Sequence, residues 1–204
     1  MASQVDICNL ALSRLGDEAT VSSIDPPEGS VQASHAAKFY PIARDTLLES
    51  HTWGFATRRT TLATLSITNP STWKYAYATP SDAVNYIAIL DPLAFKDTDV
   101  QPFVLESLIT GDQVIYTDQV DAVLRYTALV TDTTKFSPLF VDSLSWLLAS
   151  YMAGPLLKGE GGRTASIAAY KMYVEVSGNS MASDANQRKY QPAQNYRPGW
   201  IAQR

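Results

Sequence analysis

Residues 44–62 read RDTLLESHTWGFATRRTTL, and the character of the chain changes within this stretch. The first part has the apolar spacing of a helix, whereas the threonines after the paired arginines favour a strand. Trp53 and Phe55 lie at the change. We therefore predict that the helical region ends at residue 58 and that a β region starts at residue 59, with Trp53, Phe55, Arg58 and Arg59 at the junction.

Two helices are predicted before this point. Residues 4–15 place apolar side chains on one helical face, and Gly16 ends the pattern. Ser30 is a natural cap for a second helix over about residues 30–51. Pro41 lies inside that helix and should kink it or divide it in two.

Residues 59–136 contain short runs of Thr, Val, Ile and Tyr between turn signals, a pattern that predicts a small β domain. Gly111 and Asp112 predict a tight hairpin turn. The candidate strands are TLATLSI, WKYAYAT, NYIAIL, PFVLE, QVIYT and AVLRYTALV.

Two further helices follow the β region. Ser137 and Pro138 form a cap and a first-turn proline, and they start a helix that runs to about residue 157. The sequence GEGGR predicts a turn before a last helix over roughly residues 163–188. The side chains predicted to pack that helix are Ala165, Ala168, Ala169 and Met172.

This order of elements predicts an α+β fold. The N-terminal and C-terminal helix pairs, residues 1–58 and 137–190, would form one four-helix bundle, because the two ends then share a core. Residues 59–136 would be a small antiparallel β domain inserted between the pairs. Residues 191–204 have no period and would form an extended C-terminal tail.

Composition limits the functions that the chain can have. Charged residues make up 18% of it, below the roughly 25% usual for soluble domains, which suggests surface buried in contacts. The net charge of -4 argues against a protein that wraps DNA. Residues 66–136 hold nine acids and four bases, whereas residues 160–204 hold three acids and six bases. The most apolar stretch, residues 138–157, is interrupted by Asp142 and Pro155, which favours a buried helix over a bilayer span.

The sequence offers no recognisable catalytic or metal motif. GEGGRT lacks the Gly-Lys-Ser/Thr ending of a phosphate loop. The single cysteine, Cys8, lies among apolar residues, as buried thiols do. His35 and His51 are predicted to lie on helix faces without zinc-ligand spacing. We predict a protein that is not an enzyme and that has no cofactor.

Five segments, in this order, carry a resemblance to a known family. They are NLALSRLG with SIDPPEGSVQA, ARDTLLESHTWGFATRRTTLA, WKYAYATPSDAVNYIAIL, and LRYTALVTDTTKFSPLFVDSLSWLLASYMAGPL. Together they resemble the head-to-tail adaptor proteins of tailed bacteriophages, the tail tubular protein A type and related neck connectors. The similarity spans residues 9–157 and continues more weakly through the last helix.

The resemblance implies a structural protein of the virion neck. Such proteins form a homo-oligomeric ring, most often of twelve copies, between the portal protein and a tail or nozzle protein. Packaged double-stranded DNA passes through the ring, which helps to retain it. The chain would assemble in the host cytoplasm, without a membrane.

Three groups of residues follow as expected sites. An acidic channel wall would let DNA pass without sticking, and its candidates are Asp97, Asp99, Glu106, Asp112, Asp118 and Asp121. Related adaptors grip the portal with C-terminal segments, so the portal-binding candidates are Tyr196, Arg197, Trp200, Ile201 and Arg204. The other possibility for the tail is that Trp200 folds back on its own bundle.

The domain junction is the third group. Trp53 and Phe55 are interpreted as core aromatics between the helices and the β domain. Arg58 and Arg59 have three open interpretations, namely salt bridges between subunits, phosphate contacts, or a solvated strand start.

Two other functions remain as alternatives. One is a DNA-binding module that uses Arg58, Arg59 and the basic C-terminal tail. The other is a small enzyme whose site forms only between subunits, which a screen for bound metal or nucleotide would detect.

Overall fold

The computed structural model describes residues 2–18, 20–66, 72–93 and 98–187. The helices in these ranges are α1 (Gln4–Arg14), α2 (Val31–Glu49), α3 (Pro138–Leu157) and α4 (Gly159–Gln187). The strands are β1 (Thr57–Thr61), β2 (Tyr75–Ala78), β3 (Ala83–Leu90), β4 (Val100–Gln101), β5 (Phe103–Ser107), β6 (Gln113–Thr117) and β7 (Val123–Ala128). The predicted α+β class is confirmed.

The predicted helix starts are confirmed by their caps. The Ser30 hydroxyl accepts a hydrogen bond from the Ala33 N–H at 3.1 Å, and the Ser137 hydroxyl accepts one from the Phe140 N–H at 3.2 Å. Pro138 occupies the first turn of α3, where its missing N–H costs nothing. Each cap satisfies a donor that a helix cannot satisfy internally.

Of the two outcomes predicted at Pro41, division of the helix is wrong, because α2 is one element from Val31 to Glu49, whereas a kink stays a prediction. Proline removes one backbone hydrogen bond, which destabilises an isolated helix. Here apolar side chains are buried on both sides of it, so tertiary packing holds the two halves together. The buried residues of α2 are Ala33, Ala36, Tyr40, Ala43, Arg44, Leu47 and Leu48.

The predicted turn at GEGGR is also wrong, because these residues are the first residues of α4. Lys158 alone separates α3 from α4, with φ 54°. A Cβ at Gly162 would lie 3.0 Å from the Ala153 carbonyl oxygen. The glycine therefore serves the close approach of two helices, which a turn-like composition conceals.

The strands form two antiparallel sheets, ordered β1-β7-β3-β4 and β2-β6-β5. The first predicted strand, TLATLSI, is divided between them. Thr57–Thr61 pair with β7 in the larger sheet, so the strand starts before the predicted position and includes both arginines. Residues 63–65 then continue beside β2, where the Leu65 N–H donates to the Ala76 carbonyl at 2.8 Å.

The two sheets enclose one apolar cluster. Its buried members come from both sheets and include Tyr77, Ile89, Ile115, Leu124 and Tyr126. The chain crosses between the sheets four times, after β1, β2, β4 and β6. The predicted β5–β6 hairpin is confirmed, with Gly111 at φ 92° in its turn.

A second apolar cluster lies among the helices, and α3 is its central element because α3 contacts α1, α2 and α4. Buried serines interrupt α3, yet each satisfies its hydroxyl within the helix. Ser143 donates to the Leu139 carbonyl at 2.8 Å, and Ser150 donates to the Leu147 carbonyl at 2.7 Å. None of the helices in the described ranges combines the length and apolar character needed to cross a bilayer.

The limits proposed for the domains stay a prediction. The helical cluster also takes in Ala56 and Val130, and the half-buried Val84 packs against it. Ala56 precedes β1, Val130 follows β7, and Val84 is the second residue of β3. The helices and the sheets therefore touch where β1, β3 and β7 meet the helical core.

Candidate functional site

The junction between helices and strands is built on aromatic side chains. Trp53 is fully buried, and its Nε1–H donates to the Leu47 carbonyl at 2.7 Å. The ring centroids of Trp53 and Phe140 are 5.0 Å apart in an edge-to-face arrangement, as are those of Phe55 and Phe140. Phe55 also lies 5.7 Å from Phe136. Both predicted junction aromatics therefore lie in packed contacts between α2 and α3.

Asp184 ties the end of α4 to this junction. One carboxylate oxygen lies 3.0 Å from His51 Nε2, and the other accepts the Gly54 N–H at 2.9 Å. The His51 ring in turn stands edge-on to Trp53 at 4.9 Å. Sequence reasoning missed this contact, because His51 was interpreted as a helix-face residue and more than 130 residues separate the partners.

The two junction arginines have different surroundings. Arg58 Nη1 lies 2.7 Å from Asp82 Oδ2, and the other oxygen of Asp82 accepts the Tyr126 hydroxyl at 3.0 Å. Burial, followed by this hydrogen bond, raises the pKa of Tyr126 above its ordinary value. Arg59 is exposed and lies opposite Arg125 in the β1–β7 register. The charge of Arg58 is thus balanced within the chain.

The acids predicted for the channel wall lie at two ends of the strands. Asp99, Asp118 and Asp121 are exposed where β3 leads to β4 and where β6 leads to β7. Glu106 and Asp112 are exposed beside the β5–β6 turn, at the opposite end of β6.

The length of β6 sets the distance between these two groups of acids. Asp112 and Asp118 are six residues apart on either side of an extended strand, which corresponds to roughly 20 Å. Asp97 lies outside the described residues. One copy of the chain therefore presents the described acids in two groups.

The portal-binding candidates all lie outside the described residues. These are Tyr196, Arg197, Trp200, Ile201 and Arg204. The segment that contains them follows Gln187, one turn after Asp184.

Two helices present apolar side chains to solvent. On α4, Ile167, Tyr170 and Val174 are 49%, 51% and 54% exposed and lie on one face at helical spacing. On α2, Val31 and Ile42 are 62% and 50% exposed.

The packing predicted for α4 is only partly right. Ala169 is buried and Ala165 half-buried, but Ala168 and Met172 are exposed. The buried residues of α4 are Gly162, Ala169, Tyr173, Ser177 and Ser180. The prediction chose alanines and a methionine for this face. The buried residues of α4 are instead one glycine, one alanine, one tyrosine and two serines.

Within the described ranges, no three His, Cys, Asp or Glu side chains converge in a way that could hold a metal ion.

Known proteins give no further assignment. In comparisons with known proteins, no family model matches the chain and no curated protein matches it. The geometry above is therefore the basis for the functional proposal.

Proposed function

We propose that the chain is a structural adaptor of the bacteriophage neck, which forms a ring between the portal and the tail. The observation that carries the proposal is the presence of exposed apolar side chains on two different helices, α2 and α4. A contiguous apolar face, such as Ile167, Tyr170 and Val174 on α4, is typical of contact surfaces on soluble proteins. Two unlike surfaces suit a head-to-tail contact between copies, which closes into a ring when the rotation allows it.

The arrangement of the helices belongs to the same proposal. The N-terminal and C-terminal helix pairs form one bundle, with the inserted β domain projecting from it. In this arrangement the bundle supplies the contacts between copies, and the ends of the strands face the channel. Twelve copies per ring is the number that the family resemblance implies.

The charges support a channel for DNA. The exposed acids at both ends of the strands would give the ring bands of negative charge, which repel the phosphate backbone and let it slide. Arg58 is paired with Asp82. This pairing supports neither phosphate binding by Arg58 nor the alternative function as a DNA-binding module. The portal-gripping tail stays part of the proposal.

The experiment is the assembly of substituted chains onto portal-containing capsids. Replacing Ile167 and Val174 by serine should leave the melting temperature nearly unchanged, because both side chains are half exposed. The double variant should nevertheless fail to form a ring at the portal vertex in electron micrographs. Leu93→Ser, at a residue that is 81% exposed in the β region, is the matched control and should assemble normally.

Two outcomes would count against the proposal. Normal rings from the double variant would remove α4 as the contact surface. Wild-type particles that carry scattered single copies, with no ring at the portal, would remove the adaptor function itself.

A further inference from the structure

Strand β5 is the open edge of the three-stranded sheet. It pairs with β6 on one side, and no residue in the described ranges pairs with its other side. The opposite edge of this sheet is covered, because residues 63–65 lie beside β2. Among the described residues, the hydrogen-bonding ladder of the sheet therefore ends at β5.

The register shows which backbone groups of β5 point outward. The Leu108 N–H donates to the Asp112 carbonyl at 2.8 Å, so these two residues form a hydrogen-bonded pair. Hydrogen-bonded and non-hydrogen-bonded pairs alternate along an antiparallel ladder. Following the alternation back along β5, the N–H and C=O groups of Phe103, Leu105 and Ser107 point away from β6.

This edge has few of the features that protect an edge strand, namely its short length and the charge of Glu106. Phe103–Ser107 contains no proline and no lysine, and its pairing with β6 continues for five residues without a bulge. Leu105 is 36% exposed. Such an edge can accept an extended segment of another chain by main-chain hydrogen bonds.

The charge around β5 indicates what kind of segment it accepts. Residues 98–118 contain four acids and neither lysine nor arginine. Glu106 lies near the C-terminal end of β5 and Asp112 follows the β5–β6 turn, and both side chains are exposed. An extended segment with basic side chains complements this surface.

The C-terminal segment of the chain has that chemistry. Residues 188–204 contain four bases and no acid, together with Tyr196, Trp200 and Ile201. Proline cannot donate a hydrogen bond, but residues 193–197 and 199–204 are free of it. Each of these two stretches is long enough to pair with a five-residue strand.

We propose that β5 binds the C-terminal segment, residues 188–204, of a neighbouring copy, which extends the sheet across the boundary between copies. The inference rests on the proposed ring, because the ring places copies side by side. It gives the segment a partner other than the portal. Binding of a synthetic peptide to the chain can be measured without the portal, so the experiment tests the neighbouring copy as the partner on its own.

The test uses a chain that ends at Gln187 and a synthetic peptide of residues 188–204. The peptide should bind saturably, and binding should weaken as salt increases. Leu105→Pro removes one outward N–H that β6 does not use, so the fold should be kept while affinity falls about tenfold. Ile109→Ala, in the β5–β6 turn, is the control and should bind normally.

A second variant keeps the test valid if Leu105→Pro does not fold. Glu106→Arg reverses an exposed charge beside the edge and should weaken binding, whereas Glu106→Gln should have a smaller effect. The absence of binding, or equal binding by the wild type and Glu106→Arg, would overturn the inference. Rings that form although the peptide does not bind would leave the proposed function intact.

Hydrogen exchange on the full chain identifies the copy that supplies the segment. Protection of the Leu105 amide should increase with protein concentration, because the segment comes from another molecule. Protection that is independent of concentration would assign the segment to its own chain and overturn the inference. Peptide binding without rings at the portal would instead contradict only the proposed function.

Discussion

At the scale of single residues, the junction depends on polar contacts inside an aromatic core. Asp184 accepts a backbone N–H from Gly54 and meets His51, which packs on Trp53. The side chains of Asp184 and His51 are 15% and 19% exposed, so water replaces these contacts poorly. One carboxylate thus fixes the position of the last turn of α4 against the start of the β region.

We expect Asp184→Ala to lower the free energy of unfolding by about 0.5–1.5 kcal/mol, because the Gly54 N–H and the half-buried His51 ring lose the carboxylate that they contact. Glu175→Ala removes an exposed acid from the same helix and should change stability by less than about 0.5 kcal/mol. Urea unfolding of both variants measures the difference. Equal stabilities would show that the Asp184 contacts contribute nothing.

Cys8 gives a prediction that depends on pH. The residue is completely buried, and burial raises the pKa of its thiol from 9.0 to about 12. The neutral thiol is therefore favoured in the fold, so its contribution to stability is full below pH 9 and falls as the pH rises toward 12.

Native protein at pH 8 should consequently resist thiol reagents. Labelling of Cys8 should follow the fraction unfolded as urea is added, because only the thiolate reacts and only unfolding exposes it. Rapid labelling of the folded chain would contradict the burial of Cys8. The residue has no matched cysteine elsewhere, so a free thiol of similar reactivity in solution is the reference.

At the scale of elements, the contact between α3 and α4 depends on glycine. Gly162 lies against the Ala153 and Gly154 carbonyls, whereas Gly178 faces open space later in the same helix. The same residue type therefore has opposite roles within α4. In the first turns it permits close approach, and in the middle it only weakens the helix.

Gly162→Ala should destabilise the chain by about 1–3 kcal/mol, because the added methyl group meets backbone atoms that cannot move aside easily. Gly178→Ala should instead stabilise it by about 0.5–1 kcal/mol, because alanine is the better helix former in open space. Thermal unfolding of the pair checks both signs. A stabilising Gly162→Ala would mean that the helices do not approach closely.

Elements with local signals could be predicted from the sequence, and those decided by distant contacts could not. Ser30 and Ser137 mark helix starts because their hydroxyls accept the backbone N–H three residues later, and Pro138 marks one by its place in the first turn. Continuity across Pro41 depends on packing against other helices, and the course of the GEGGR stretch depends on α3. Local composition does not carry that information.

At the scale of the whole molecule, the acids form two groups at opposite ends of the strands. The acids proposed for the channel wall are exposed wherever the structure describes them, and their role in a channel stays a prediction. The sequence could not show that Asp99, Asp118 and Asp121 share one end while Glu106 and Asp112 share the other, because this depends on the register of the strands. The exposed face of α4 was missed for a similar reason.

Replacing Asp99, Asp118 and Asp121 by lysine should slow the release of DNA from assembled particles, because the positive side chains would bind phosphate. The effect should be greatest at low salt. The matched variant replaces Glu106 and Asp112 at the other end of the strands. Ejection kinetics of both variants show which end faces DNA, and unchanged kinetics in both would remove the proposed acidic wall.

The order of the larger sheet has a consequence for biosynthesis. Strand β7 lies between β1 and β3, although it is the last strand to leave the ribosome. The first two helices likewise wait for α3, the element that both contact. The apolar cluster between the sheets therefore cannot close before residue 128 has been made, and the helical cluster cannot close before α3 and the part of α4 up to Tyr173 have followed.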